Sequence, residues 1–95
     1  PPYTHIAIIK TYSKNKNNSR SALNQLKNID RHSSVFIYGP SPCVIAKKRN
    51  YYYHQLLVGS MSSKLLSEHI SKIELYLSSM KKKINWNIDI DPIEQ

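Results

Sequence analysis

The sequence predicts a small α+β domain of order β-α-β-β-α-β, with a four-stranded sheet and both helices on one of its faces, a split β-α-β arrangement. Three observations predict it. Short runs of β-branched and aromatic residues recur at four places. Two longer segments carry apolar residues at the spacing of one helix face. Polar, Gly or Pro clusters separate these runs, with no internal repeat and no linker long enough to divide the 95 residues into two domains.

The first strand is expected over residues 5–12, a run with Ile6, Ile8, Ile9 and Thr11 that is too short for a typical helix. Residues 13–18 are polar and read as an exposed loop. Ser19 is the expected cap of a helix running to about Ile29, because Ala22, Leu23, Leu26 and Ile29 fall on one face. A polar break at 30–34 leads to a second strand over 35–38. Gly39-Pro40-Ser41-Pro42 should stop it, since two prolines and a glycine exclude pairing in a central strand. Residues 43–50 are then a basic loop, and residues 51–58 a third strand ended by Gly59. In the second helix Leu66, Ile70, Ile73, Leu77 and Met80 form one stripe, widened by Leu65 and Tyr76, with Ser62 or Ser63 as its cap. Last comes a strand in which Ile84, Trp86, Ile88 and Ile90 alternate with Asn85, Asn87, Asp89 and Asp91, one face buried and one wet, until Pro92.

At this length folding buries roughly 60–65% of the surface the unfolded chain exposes, enough for one modest core. No apolar run approaches the ~20 residues of a membrane-spanning helix, and the single Cys43 excludes an internal disulfide and a cysteine metal cluster. A reducing, cytoplasmic setting without membrane attachment is the expectation. A start at Pro1-Pro2, without methionine, suggests a piece of a longer protein.

The net charge of +8 is unevenly placed. Residues 1–60 hold nine cations (Lys10, Lys14, Lys16, Arg20, Lys27, Arg31, Lys47, Lys48, Arg49) against Asp30 alone, whereas residues 61–95 hold five of each sign. Such a surface attracts a polyanion, because binding releases condensed counterions.

Catalytic patterns are missing from the sequence. Gly39 and Gly59 belong to no phosphate-binding loop, and His5, His32, His54 and His69 have no ligand-like spacing. Cys43 has no partnered base and reads as structural. Asp89 and Asp91 would project from one strand face about 7 Å apart, and two carboxylates without further acids bind a cation weakly; carboxylates in solvent, bridging to the lysines at 81–83, are the preferred reading. No catalytic or metal-binding residue is therefore assigned, and the chain by itself is expected not to be an enzyme.

Binding features are stronger. Lys47-Lys48-Arg49-Asn50-Tyr51-Tyr52-Tyr53 sets three cations against three aromatic rings, with Tyr51 and Tyr53 on one strand face and Tyr52 on the other. Single-stranded nucleic acid is recognised this way, phosphates tracking the cations and bases stacking on the rings. The alternative places the tyrosines in the core with their hydroxyls at the rim. Lys47, Lys48, Arg49, Tyr51 and Tyr53 are the candidate DNA-binding residues.

Four segments in order carry a likeness: Pro1-Pro2-Tyr3 before a strand, Gly39-Pro40-Ser41-Pro42 after one, the basic loop, and Trp86-Asn87-Ile88-Asp89-Ile90-Asp91-Pro92 near the end. Together they resemble the C-terminal part of the primosomal protein N′ (PriA) family of bacterial replication-restart helicases, over essentially the whole chain. The resemblance implies a ribosomal-protein-like fold and a contribution to binding forked or single-stranded DNA. It also implies binding of the acidic tail of single-stranded-DNA-binding protein, with Lys64 and Glu68 matching the family's tail-facing positions. Glu68 departs from the usual Gln and brings a like charge to an acidic tail. Full-length members are ATP-dependent 3′-to-5′ DNA helicases, so ATP, Mg and Zn are expected only in the remainder of such a helicase, upstream. A ribosome-associated or RNA-binding module of the same topology is the alternative from another class.

Overall fold

The computed structural model describes residues 5–80 and 84–90, with the side chains of 44–46 excepted. Its elements follow the predicted order: β1 (His5–Ser13), α1 (Lys16–Leu26), β2 (Val35–Lys48), β3 (Tyr51–Ser60), α2 (Ser63–Ser79) and β4 (Asn85–Ile90). The strands make one sheet in the order β2-β3-β1-β4, antiparallel throughout. β1 and β3 are central and pair from His5↔Ser60 to Ser13↔Tyr52.

Alternation along the central strands sends Ala7 and Ile9 of β1, and Leu56 and Val58 of β3, to the face that both helices cover. Val35 of β2, Leu23 and Leu26 of α1, and Leu66, Ile70, Ile73 and Leu77 of α2 complete this core. Burying each Leu, Ile or Val contributes about 1.5–3 kcal/mol. The α2 stripe is as expected, with Met80 half-buried at its end; of the two candidate caps Ser62 serves, its hydroxyl accepting from Leu65 N at 3.2 Å. Tyr76 ties the helices together by donating to Gln25 Oε1 at 2.8 Å.

Four expectations need correction. First, β2 does not stop at Tyr38 but runs to Lys48. Among the described strands it lies at an edge and pairs with β3 alone, so the N–H that Pro40 and Pro42 lack costs no interior ladder bond there. Gly39 and Pro40 together oppose Leu56 as a bulge, and a larger register shift separates Pro42↔His54 from Lys47↔Tyr52. Gly39 has φ +108°, and a Cβ there would lie 3.1 Å from Gln55 O, so glycine is required. Second, the loop expected over 43–50 is strand up to Lys48, with only Arg49 and Asn50 as the turn. Both have positive φ (52° and 68°), as in a type I′ hairpin.

Third, α1 begins at Lys16, not after Ser19, and ends at Leu26. Asn15 caps it by accepting from Asn17 N and Asn18 N at 2.9 and 3.2 Å. Ser19 is instead buried against the sheet: Thr11 Oγ1 donates to Ser19 O at 2.8 Å, and Ser19 Oγ and His54 Nδ1 are bonded at 2.7 Å. Fourth, β4 starts at Asn85, and although Trp86 and Ile88 pack on the core, Ile90 is 51% exposed. Among the described strands β4 is the other edge, and α2 packs mainly on β1, β2 and β3, which leaves the end of β4 at Ile90 less covered than its start.

Candidate nucleic-acid interface

The face of the sheet turned away from the helices carries the alternate residues of the same strands. Pairing arranges them in rows across β2, β3, β1 and β4. Near the start of β1 lie Phe36, Gly59 and Ile6, then Tyr38, Leu57, Ile8 and Asp89. Ser41, Gln55, Lys10 and Asn87 form the middle row, followed by Tyr53, Tyr12 and Asn85. Lys48 and Tyr51 close the series beside the Arg49–Asn50 turn. The face therefore grades from apolar at one end to aromatic and basic at the other.

At the basic end the rings touch one another. Tyr12 and Tyr53 stack at 4.9 Å between centroids with 17° between planes, and Tyr51 meets Tyr12 edge-on at 5.8 Å and 78°. Lys14 Nζ sits 5.9 Å from the Tyr51 centroid, a cation–π contact. All three rings are half-buried, while Lys14, Lys47, Lys48, Arg49 and Asn50 are exposed. Lys47 and Tyr52 face the other side of the hairpin, with Lys47 Nζ 5.3 Å from the Tyr52 centroid. The expected division of Tyr51 and Tyr53 from Tyr52 is thus present, and the rings are neither core nor fully open. Two cations, Lys48 and Lys14, join the Tyr51–Tyr53 side, Lys47 joins the Tyr52 side, and Arg49 stands at the tip.

Tyr12, Lys10 and Lys14 are not among the candidate DNA-binding residues read from the sequence, although alternation places Tyr12 and Lys10 on one face of β1 and Lys14 follows just beyond its end. The missing information was which strand lies beside β3. That neighbour is β1, and it delivers Tyr12 opposite Tyr53.

The second candidate pair lies elsewhere. Lys64 and Glu68 are exposed one turn apart near the start of α2, on the side opposite its buried stripe and in line with Leu75, which is 73% exposed. Because α2 follows the Ser60 end of β3, this pair sits at the end of the domain remote from the hairpin.

Burial acts on three of the described titratable groups. Burial pushes the half-buried Cys43 thiol up, against the pull of Lys10, which disfavours a thiolate. Burial first, then the charges of Arg20 and Lys16, hold His54 below its ordinary value. His69, 3% exposed, is likewise held down by burial and by Lys72 and Arg31, and its two ring nitrogens lack hydrogen-bond partners among the described residues. No group of three His, Cys, Asp or Glu side chains converges as a metal site among the described residues. Asp89 is exposed on the open face; Asp91 and the lysines at 81–83 lie outside the described residues. No described helix is long and apolar enough to cross a membrane.

Comparison with known proteins bears on both the family and the fold. The model of the family described as primosomal protein N C-terminal domain matches residues 1–93. A curated relative, the replication restart protein PriA of Buchnera aphidicola subsp. Acyrthosiphon pisum (strain APS), is 26% identical over 102 residues, which cover 97% of this chain and 14% of that protein. The chain thus spans only a small part of that relative's length. Among solved structures, the de novo designed protein Foldit4 superposes with a TM-score of 0.66 at 9% identity, covering 90% of this chain and 93% of that one, a likeness of fold alone.

Proposed function

The chain belongs to the primosomal protein N C-terminal domain family, and from that premise we propose that it serves replication restart as the DNA- and partner-binding module of a longer PriA-like helicase. One observation carries the DNA role: Lys14, Lys47, Lys48 and Arg49 are exposed around the tyrosine cluster at the hairpin end of a domain with net charge +8. Phosphates are held there by charge, and bases by the partly open faces of Tyr51 and Tyr53. ATP hydrolysis and unwinding, with their ATP and Mg, and any structural Zn, are assigned to the rest of such a helicase. This chain's share is to hold the branched or single-stranded substrate.

A titration of forked and single-stranded DNA at several salt concentrations tests this directly. Each phosphate neutralised on a single strand contributes about 0.7 to the slope of log affinity against log salt. Replacing Lys47, Lys48 and Arg49 by alanine should lower that slope by about 2 and weaken binding at every salt concentration. An unchanged slope and affinity would remove the hairpin from the interface.

The partner role rests on Lys64 and Glu68, whose exposure near the start of α2 leaves them accessible to an acidic tail such as that of single-stranded-DNA-binding protein. Lys64 supplies an attractive charge and Glu68 an opposing one. Lys64→Glu should abolish binding of an acidic tail peptide and Glu68→Gln should strengthen it; if both variants bind as the wild type does, the pair has no such role.

A further inference from the structure

Beyond the hairpin, the open face of the sheet has the dimensions and chemistry of a track. Along β3 from the turn, Tyr51 is followed by the Tyr53–Tyr12 row, then by Gln55 with Lys10, then by Leu57 flanked by Tyr38 and Ile8. Alternate residues of a strand are about 7 Å apart, so ring, cation and ring follow one another at that step along β3, with Lys10 on its β1 side and Tyr38 on its β2 side. Tyr38 is 53% exposed. Tyr12 and Tyr53 stack and Tyr51 meets Tyr12 edge-on, and each of the three half-buried rings keeps part of its surface exposed to a planar guest.

Shape decides between duplex and single strand. The major groove of B-DNA is about 12 Å wide and admits a helix or a two-stranded ribbon. Four strands spaced about 4.8 Å span roughly 14 Å, and both helices are packed on the far side, so this face meets a duplex only along its backbone. A single strand, by contrast, can splay its bases onto a flat sheet whose central strands carry aromatic rings. Charge fixes the side of the sheet. Lys10, Lys14, Lys48 and Arg49 lie along β1 and the β2–β3 turn, whereas Asp89, acidic and exposed on this face, lies on the β4 edge beyond Ile8.

Resting on the DNA-binding role above, we infer that this face binds single-stranded DNA along β3, from the cationic turn past Tyr53 and Tyr12 to Tyr38, with Lys10 holding a phosphate midway. Tyr12, Tyr38, Lys10 and Lys14 thereby join the interface. Stacking and charge carry this binding, and every base has a π-face, so it is tolerant of sequence.

Fluorescence anisotropy of a labelled oligothymidylate of about 12 nucleotides, against a blunt duplex of the same length, tests it with the whole chain. Tyr38→Ala, which removes an exposed ring, and Tyr53→Leu, which keeps apolar bulk, should each weaken single-strand binding by about 5- to 100-fold. Duplex affinity and the salt slope should not change. Lys10→Gln should lower the slope by about 0.7, a readout independent of any repacking of the rings. If Tyr38→Ala and Lys10→Gln match the wild type while the hairpin variant loses binding, the track beyond the hairpin is wrong and the hairpin role survives. If the hairpin variant is also unaltered, both fall. Tighter binding of an oligouridylate of equal length would overturn DNA as the occupant in favour of RNA.

Discussion

The two faces of the sheet are built from the same strands yet solve opposite problems. On the covered face β1 shows Ala7, Ile9 and Thr11, and β3 shows His54, Leu56, Val58 and Ser60, all buried. Its polar groups are met locally: Thr11 donates to the α1 backbone, Ser60 Oγ accepts from Ser62 N at 3.1 Å, and Ser19 bonds His54. On the open face the intervening residues are Ile6, Ile8, Lys10 and Tyr12 of β1 with Tyr51, Tyr53, Gln55 and Leu57 of β3, none of them fully buried. Burial on the first face yields stability without a ligand. On the second, apolar and aromatic surface is retained in solvent beside cations, where it stabilises the fold little and remains available for binding. The contrast teaches that the two functions of one strand, folding and recognition, are separated here by residue parity alone.

The separation breaks if a change on one face acts on the other's property. The largest effect should come from Ile73→Ala, which opens a cavity beneath the covered face: an expected loss of about 2–5 kcal/mol in urea unfolding, with the folded fraction still binding DNA normally. Ser19→Ala removes one partner of the buried His54 ring and should cost about 1–3 kcal/mol, measured the same way. Asn15→Ala, at the helix cap, should cost about 1 kcal/mol. Smallest on stability is Lys48→Ala with Arg49→Ala, expected within about 0.5 kcal/mol of the wild type although DNA affinity falls. A destabilised hairpin variant, or a core variant that binds DNA poorly while folded, would show that the faces are coupled.

Acid sharpens the same contrast. The imidazoles of His54 and His69 are held below their ordinary value in the folded chain by burial and nearby cations, so the unfolded chain takes up protons first. Their contribution is fully present above about pH 6.5, the unfolded value, and is lost as pH falls from there through the folded values. The urea midpoint should therefore drop between pH 7.5 and 5.5. His69→Leu, which removes two buried nitrogens without partners among the described residues, should raise the midpoint at neutral pH and flatten this dependence; an unchanged pH profile would exclude His69 as a contributor.

Elements that depend on local periodicity were legible in the sequence. The α2 stripe from Leu66 to Met80 and the alternation of Tyr51, Tyr52 and Tyr53 were read correctly because side-chain direction in a helix or strand follows from residue spacing. The path of β2 was not legible. Prolines at 40 and 42 end a central strand but are tolerated in an edge strand, and which strand is an edge is a property of the whole sheet. Ser19 was misread for a related reason: both Ser19 and Asn15 are good caps, and only the buried His54 ring assigns the serine hydroxyl elsewhere.

By itself, then, the sequence determined the class and order of the elements, the excess of positive charge in its first 60 residues, and the opposed faces of the tyrosine run, since each is set by composition or by spacing within one segment. Tertiary structure alone decided that β1 lies between β3 and β4, bringing Tyr12 onto Tyr53 and Lys10 into line with them. It also set Lys64 and Glu68 at the end of the domain away from the hairpin. The physical reason is common to both: strand order is chosen by which apolar faces the two helices can cover together, a condition that involves every element at once and is written in no single stretch of chain.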